Sequence, residues 1–236
     1  MSSGQKHVTL FELGLVWCVA FSSAIFMSTQ VALSGSYRMP LSSSLYLSNA
    51  IFVEVLGLAL LGYVLYRQGR SFREIGMAFR LRDLVDSFIL LVLIWLGRNA
   101  FCYLLYYGYY HFTGEVLDLS FKTPATVSLH HLGLTLLLLC INPFFEELIV
   151  RGYTISEILR LGRSPFFAVM ISVLLQTSYH LYYGLVVSLT LVPVFLVFSI
   201  YFLRTKRIFP VILAHGYLDL LGVAFIAYQS GHPLPH

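Results

Sequence analysis

Glu146 and Glu147 stand side by side in the segment FFEELIVRGY, with Arg151 four residues after the second of them. The twelve residues before this segment, 132–143, carry only Thr135 and Asn142 as polar side chains, with Cys140 between them. Ionisable groups in surroundings this apolar are costly, so each is either paired or functional. On a helix, Glu147 and Arg151 share a face with the acid on the N-terminal side, the favourable order for an ion pair. Glu146 is turned about 100° away and has no partner nearby in sequence. Two acids and one base leave one carboxylate over, and that carboxylate is the candidate for chemistry. Burial disfavours an ionised carboxylate and can bring its basicity towards neutrality, where a general base works best.

Three more groups extend the pattern. His180 lies in LLQTSYHLYYG; His215 and Asp219 lie in ILAHGYLDLLG, four apart and on one helical face. Each residue also has a purely structural reading. A histidine in an apolar helix is commonly a packed, hydrogen-bonded residue. Adjacent glutamates before an arginine can form an ion-pair cluster, and His215 with Asp219 can be one helix's internal bond. Glu54 and Arg98, lone charges in other apolar runs, read as an interhelical pair. By ligand type, Glu146, His180, His215 and Asp219 also form a plausible zinc set, although the chain has no HExxH motif.

The elements that position these groups are membrane helices. The chain is 58% hydrophobic and 11% charged, with a mean hydropathy of +0.80, far outside soluble norms. Its 236 residues suggest one integral membrane domain, all-α and polytopic. Apolar runs predict seven spans at about 10–33, 44–66, 84–107, 126–161, 166–183, 186–203 and 209–228. The first is too long for a signal-peptide core and reads as a retained helix. Turns are expected at 34–40, around Pro40, and at 162–165. Cys18, Cys102 and Cys140 all fall in apolar runs and read as small packing residues, neither a disulfide framework nor a metal set. The tyrosines at 103, 106, 107, 109 and 110 suit a membrane–water interface.

The net charge of +4 is concentrated in loops, which makes it a topology signal and gives no indication of nucleic-acid binding. The loop 67–82 holds five arginines against Glu74. If that loop is cytoplasmic, then Lys6, Arg160, Arg163 and the 204–207 loop fall inside with it, which gives a cytoplasmic N-terminus; Arg38 alone dissents. A hairpin turning near 162–163 puts Glu146 about 16 residues before the turn and His180 about 17 after it, side by side on antiparallel helices. The same arithmetic misplaces His215, eight residues past Arg207, unless the 160–165 turn protrudes or a helix is tilted or broken.

Taken together, Glu146-Glu147-x3-Arg151, His180 and His215-x3-Asp219 resemble the motif series of the CAAX-protease and bacteriocin-processing family of intramembrane glutamic peptidases, which includes the type II CAAX prenyl endopeptidases. The resemblance covers residues 128–225. It departs at Gln176, where the family usually has Phe four residues before its histidine; a glutamine there is able to hydrogen-bond within the site. The resemblance implies a multi-pass protein of the cell membrane that hydrolyses a peptide or membrane-protein substrate in the bilayer, without metal or cofactor. It further implies that Glu146 activates the water and His180 helps to hold it. Glu147 and Arg151 would fix the helix and the local field, and His215, oriented by Asp219 or joined by it in protonated form, would donate to the oxyanion. The alternatives that the residues leave open are a zinc-dependent membrane protease and a non-catalytic scaffold or transporter.

Overall fold

The computed structural model describes residues 3–34, 43–119 and 131–231, and among these it is helical with no strand. Helix α1 spans Ser3–Ser34, α2 Ser44–Arg67 and α3 Arg82–Thr113. Helix α4, Leu132–Glu147, runs through a π-helical turn, Leu148–Tyr153, into α5, Thr154–Arg160. Then follow α6 (Pro165–Tyr179), α7 (Leu185–Leu189), α8 (Val192–Thr205) and α9 (Phe209–Gly231). Six of these passages are long and apolar enough to cross a membrane; α6, the fifth of the seven expected, is a shorter apolar helix. The chain is a multi-pass membrane protein. Residues such as Phe88, Val92, Trp95 and Leu96 of α3 are exposed on its outer face, where lipid takes the place of a packed neighbour.

Several boundaries differ from the sequence expectation. Helix α1 begins at Ser3 and takes in His7. Helix α3 continues through the tyrosine cluster and His111 to Thr113, because nothing there breaks it before Gly114, whose left-handed backbone (φ 71°) ends it. The α6 helix is capped at its start by Ser164, which accepts from the Phe167 N–H, and by Pro165 in the first turn. It stops at Tyr179, short of the expected 183, and a 3₁₀ turn, Leu181–Tyr183, follows. The expected sixth span is broken into α7 and α8, with Pro193 in the first turn of α8. Cys18 and Cys140 are free and exposed on the outside of the bundle; they are not packed in its interior. The expected turn at 35–40 and the helix start at 126 lie outside the described residues.

The basic segments meet at one end. Arg70 and Arg160 both pair with the buried Glu157, Gln68 donates to Glu12 at 2.8 Å, and Arg207 pairs with Asp83. The loop after α2 folds onto this end as a 3₁₀ turn, Phe72–Ile75, and Gly76 accepts from the Ile208 N–H at 3.1 Å. Gly152 packs on the other side of the same loop, close enough that a Cβ there would lie 3.0 Å from the Ile75 carbonyl. Gly152 and Ile208 are therefore at similar depth, and the 160–165 turn projects past them. That projection removes the difficulty with His215: counted from this shared level, Glu147 is five residues up one helix and His215 seven up the other.

Gly76 is held at φ 96°, and a Cβ on it would meet the Lys206 carbonyl oxygen at 2.8 Å. The Phe202 ring at 2.9 Å and the Ile208 backbone nitrogen at 3.2 Å close the remaining space, and the Lys206 backbone cannot turn aside as a flexible side chain would. Gly76→Ala is expected to cost about 1–3 kcal/mol and to lower the unfolding temperature of the detergent-extracted protein by several degrees. An unchanged melting curve would show that this loop does not clamp the two helical segments.

Candidate active site

Glu146 sits in the last turn of α4, buried, at the meeting point of α2, α4 and α6. Its Oε2 accepts from Gln176 Nε2 at 2.8 Å and from the Tyr179 hydroxyl at 2.9 Å. Its Oε1 accepts from Asn142 Nδ2 at 3.3 Å. Gln176 and Tyr179 come from the last turn of α6, so the hairpin register does bring that turn beside Glu146. Asn142 is one helical turn before Glu146 on α4 itself. A carboxylate has about four lone-pair positions; three donors on two oxygens leave the open one on Oε1.

His180 is the residue that ends α6 (φ −97°, ψ 1°), one place outside the helix expected to contain it. Its Nδ1 lies 2.9 Å from the Gln176 carbonyl oxygen. A carbonyl only accepts, so this bond assigns the proton to Nδ1 and leaves Nε2 of the neutral ring with a free lone pair. The ring packs against Phe195 (centroids 5.2 Å apart) and Tyr179 (4.7 Å), and it is within electrostatic reach of Glu146. Helix α1 holds the preceding residue in place. Ser28 Oγ donates to the Tyr179 carbonyl at 2.5 Å, and the Phe21 ring stacks on the Tyr179 ring at 4.7 Å with a 1° interplanar angle.

Glu147 has a different environment. It is fully buried, and its Oε1 receives both Arg151 Nη1 at 3.0 Å and His215 Nδ1 at 2.7 Å. The Arg151 guanidinium is equally buried, with its carbon 5.5 Å and 5.7 Å from the ring centroids of Phe198 and Phe195. Those π faces supply the electron density that hydrogen-bond acceptors would otherwise provide. His215 carries its proton on Nδ1 towards Glu147, and its Nε2 lies 3.5 Å from Asp219 Oδ1. The ring is thus set between two carboxylates, one on α4 and one a turn along α9.

The π-helical turn starts immediately after Glu147 and widens the helix by one residue per turn. Its displaced carbonyls are satisfied from elsewhere: Val150 by Ser172 of α6 at 2.8 Å, Ile149 by Thr154 at 2.8 Å. Trp17 of α1 donates in turn to Thr154 at 2.8 Å. The sequence carries no mark of this turn beyond the polar residues that later prove to cap it.

All six residues singled out in the sequence thus fall in one region. Glu146 and His180 share one group of contacts, and Glu147, Arg151, His215 and Asp219 form a chain beside it. Gln176 hydrogen-bonds within the site, as its polarity allows. Three contributors escaped sequence reading. Nothing in the sequence separates Tyr179 from the other aromatics of its segment, and Asn142 stands out there only as one of two polar side chains in residues 132–143. Glu54 looked like half of an ion pair, whereas its Oε1 accepts from Asn142 Nδ2 at 3.0 Å. The signal for Glu54 was its charge in the middle of an apolar helix. Among the described residues, no three His, Cys, Asp or Glu side chains are grouped as ligands of a metal ion.

Residues 128–221 match the family model described as type II CAAX prenyl endopeptidase Rce1-like. The match includes every site residue from Asn142 to Asp219 and leaves α1, α2 and α3 outside it. No curated protein and no solved structure matches the chain.

Replacing Glu147 by Gln leaves an acceptor oxygen but removes the negative charge that balances the buried Arg151 guanidinium. Breaking a buried pair of this kind costs about 3–5 kcal/mol. Glu147→Gln is therefore expected to reduce both the yield and the thermal stability of the extracted protein. A Glu147→Gln protein as stable as the parent would mean that the Arg151–Glu147–His215 chain contributes nothing to holding α4 against α9.

Proposed function

We propose that this chain, whose residues 128–221 match the CAAX prenyl endopeptidase family model, is a CAAX-protease-like membrane peptidase that cleaves its substrate with a water molecule activated by Glu146. The observation that carries this reading is the asymmetric solvation of the Glu146 carboxylate. Gln176 and Tyr179 occupy Oε2, Asn142 takes one position on Oε1, and the remaining Oε1 position is available to a water. A base fixed by three donors, two from the last turn of α6 and one from α4, needs little reorganisation when it takes the proton.

The roles divide as follows. Glu146 Oε1 accepts a proton from the attacking water, and His180, whose Nε2 lone pair is free, accepts the water's second hydrogen bond and orients it. The hydroxide oxygen bonds to the scissile carbonyl carbon, and the carbonyl oxygen takes up the negative charge. His215 offers a second donor at Nε2 only as an imidazolium, with Asp219 as the adjacent counter-charge and Glu147 holding the opposite nitrogen. In that form it stabilises the oxyanion. The carbon–nitrogen bond then breaks, and the proton held by Glu146 passes to the leaving amine. The products are a carboxylic acid and an amine, with one water consumed. Arg151 does not touch the reacting atoms; it keeps Glu147 charged and in place.

Substrates are peptides presented from the bilayer. A C-terminally prenylated peptide and a leader-type peptide are the two classes that the family resemblance offers. The test uses purified protein in proteoliposomes with an internally quenched peptide ending in an S-farnesylated CAAX sequence and with its unprenylated counterpart. Glu146→Gln keeps the side chain's size and hydrogen bonding but loses basicity, so it is expected to fold, bind and turn over at least about 10²-fold more slowly. His180→Ala is expected to lose a similar factor, and the double variant to be little worse than either, because both act on one water. Cleavage by Glu146→Gln within a factor of about two of the parent would remove Glu146 from the chemistry.

A further inference from the structure

Glu54 is the one charged residue between Ser44 and Tyr66 of α2. It is buried at 7% exposure in the middle of the helix. An acid at such a depth is expensive to keep and marks function by default. It lies outside the 128–221 match, and no motif of the site predicts it. Its contact is specific: Oε1 accepts from Asn142 Nδ2 at 3.0 Å, and the same Nδ2 donates to Glu146 Oε1 at 3.3 Å. The backbone is shaped for this approach. Gly57, one turn after Glu54, lies so close to α4 that a Cβ on it would meet the Phe145 ring at 2.6 Å.

An amide group has two hydrogens on nitrogen and an acceptor oxygen at nearly the same position when flipped. Glu146 alone would draw an N–H of Asn142, but that single 3.3 Å contact leaves the amide free to rotate away from the carboxylate. With Glu54 in place, both hydrogens are directed at carboxylate oxygens, and the flipped amide would set its oxygen against two acceptors. Two acids on two helices thus decide which end of Asn142 faces the base. From this geometry we propose that Glu54 is a positioning residue for the catalytic site: it fixes the Asn142 amide so that its N–H orients Glu146 Oε1, the oxygen that takes the proton. The inference rests on the reading of Glu146 as the general base. It also gives the N-terminal half of the chain a part in catalysis, since α2 supplies the group that sets the α4 base.

The experiment compares kcat and KM for Glu54→Leu, Glu54→Gln, Asn142→Leu and the double Leu variant, with Glu146→Gln alongside, on whichever of the two quenched peptides the parent cleaves. Loss of the orienting contact is expected to lower kcat by about 10- to 10²-fold while KM stays within about twofold. Glu54→Gln keeps an acceptor oxygen, so it restores kcat to within about threefold of the parent. The double variant should match Asn142→Leu alone, because Glu54 acts through that amide. Unchanged kcat in a folded Glu54→Leu protein, a Glu54→Gln variant as slow as Glu54→Leu, or losses that multiply in the double variant would each overturn the proposal. If Glu54→Leu does not fold, full kcat in Asn142→Leu overturns it equally. A Glu146→Gln protein that retains activity would instead fail the general-base reading; an inactive Glu146→Gln with a normal Glu54→Leu would fail this inference only.

Discussion

The Glu147 carboxylate accepts from Arg151 and from His215 while wholly removed from solvent, and the arrangement of the C-terminal helices depends on that shared acceptor. A buried charge is tolerated only when its partners are fixed and hydrogen-bonded. Arg151 meets this condition because the π-helical turn and the Phe195 and Phe198 rings enclose it. His215 meets it because α9 runs past the level of Glu147 with its Nδ1 turned inward. The pair of adjacent glutamates is thereby divided by environment. Glu147 commits one oxygen to the Arg151 guanidinium and the His215 ring, whereas Glu146 meets only neutral donors from Asn142, Gln176 and Tyr179. Neutral donors orient a carboxylate without cancelling its charge, which is what a base requires.

The helices outside the family match support this division. Helix α1 stacks Phe21 on Tyr179 and bonds Ser28 to the Tyr179 carbonyl, so the hydroxyl that reaches Glu146 is fixed from behind. It also reaches Thr154 through Trp17, at the far end of the π-helical turn. Helix α2 approaches α4 at Gly57, and the 3₁₀ loop after it is wedged between Gly152 and the α8–α9 link. The wedge sets the relative depth of α5 and α9, and through them the distance from Glu147 to His215.

Much of this was legible in the sequence, for physical reasons. Charges in apolar runs identified Glu146, Glu147, Arg151 and Asp219 because each has a solvation cost that must be met. The four-residue spacing paired Glu147 with Arg151, and helix rise set the end of α6 beside Glu146. Where the reading fell short, the missing information was three-dimensional. The carbonyls of the π-helical turn are met by Ser172, distant in sequence, and by Thr154, whose hydroxyl is itself held by the equally distant Trp17. The protrusion of the 160–165 turn depends on a loop from another part of the chain lodging between two helices. His180 lies outside α6 because Gly184 (φ 90°) and the 3₁₀ turn end that helix early, and periodicity does not register the turn. Glu54 was visible as a costly charge, but its partner is a neutral amide, which charge counting does not detect.

The central claim, that Glu146 activates water and does not itself attack the substrate, is tested most directly by a single turnover in ¹⁸O-labelled water. Enzyme in excess over a cleavable quenched peptide is quenched after one cycle, and mass spectrometry reads the label in both the product carboxylate and the enzyme fragment containing Glu146. Direct attack by activated water puts one ¹⁸O in the new product carboxylate and none in the Glu146 fragment. Label in the Glu146 carboxylate, with an unlabelled product, would establish an acyl-enzyme anhydride and contradict the account.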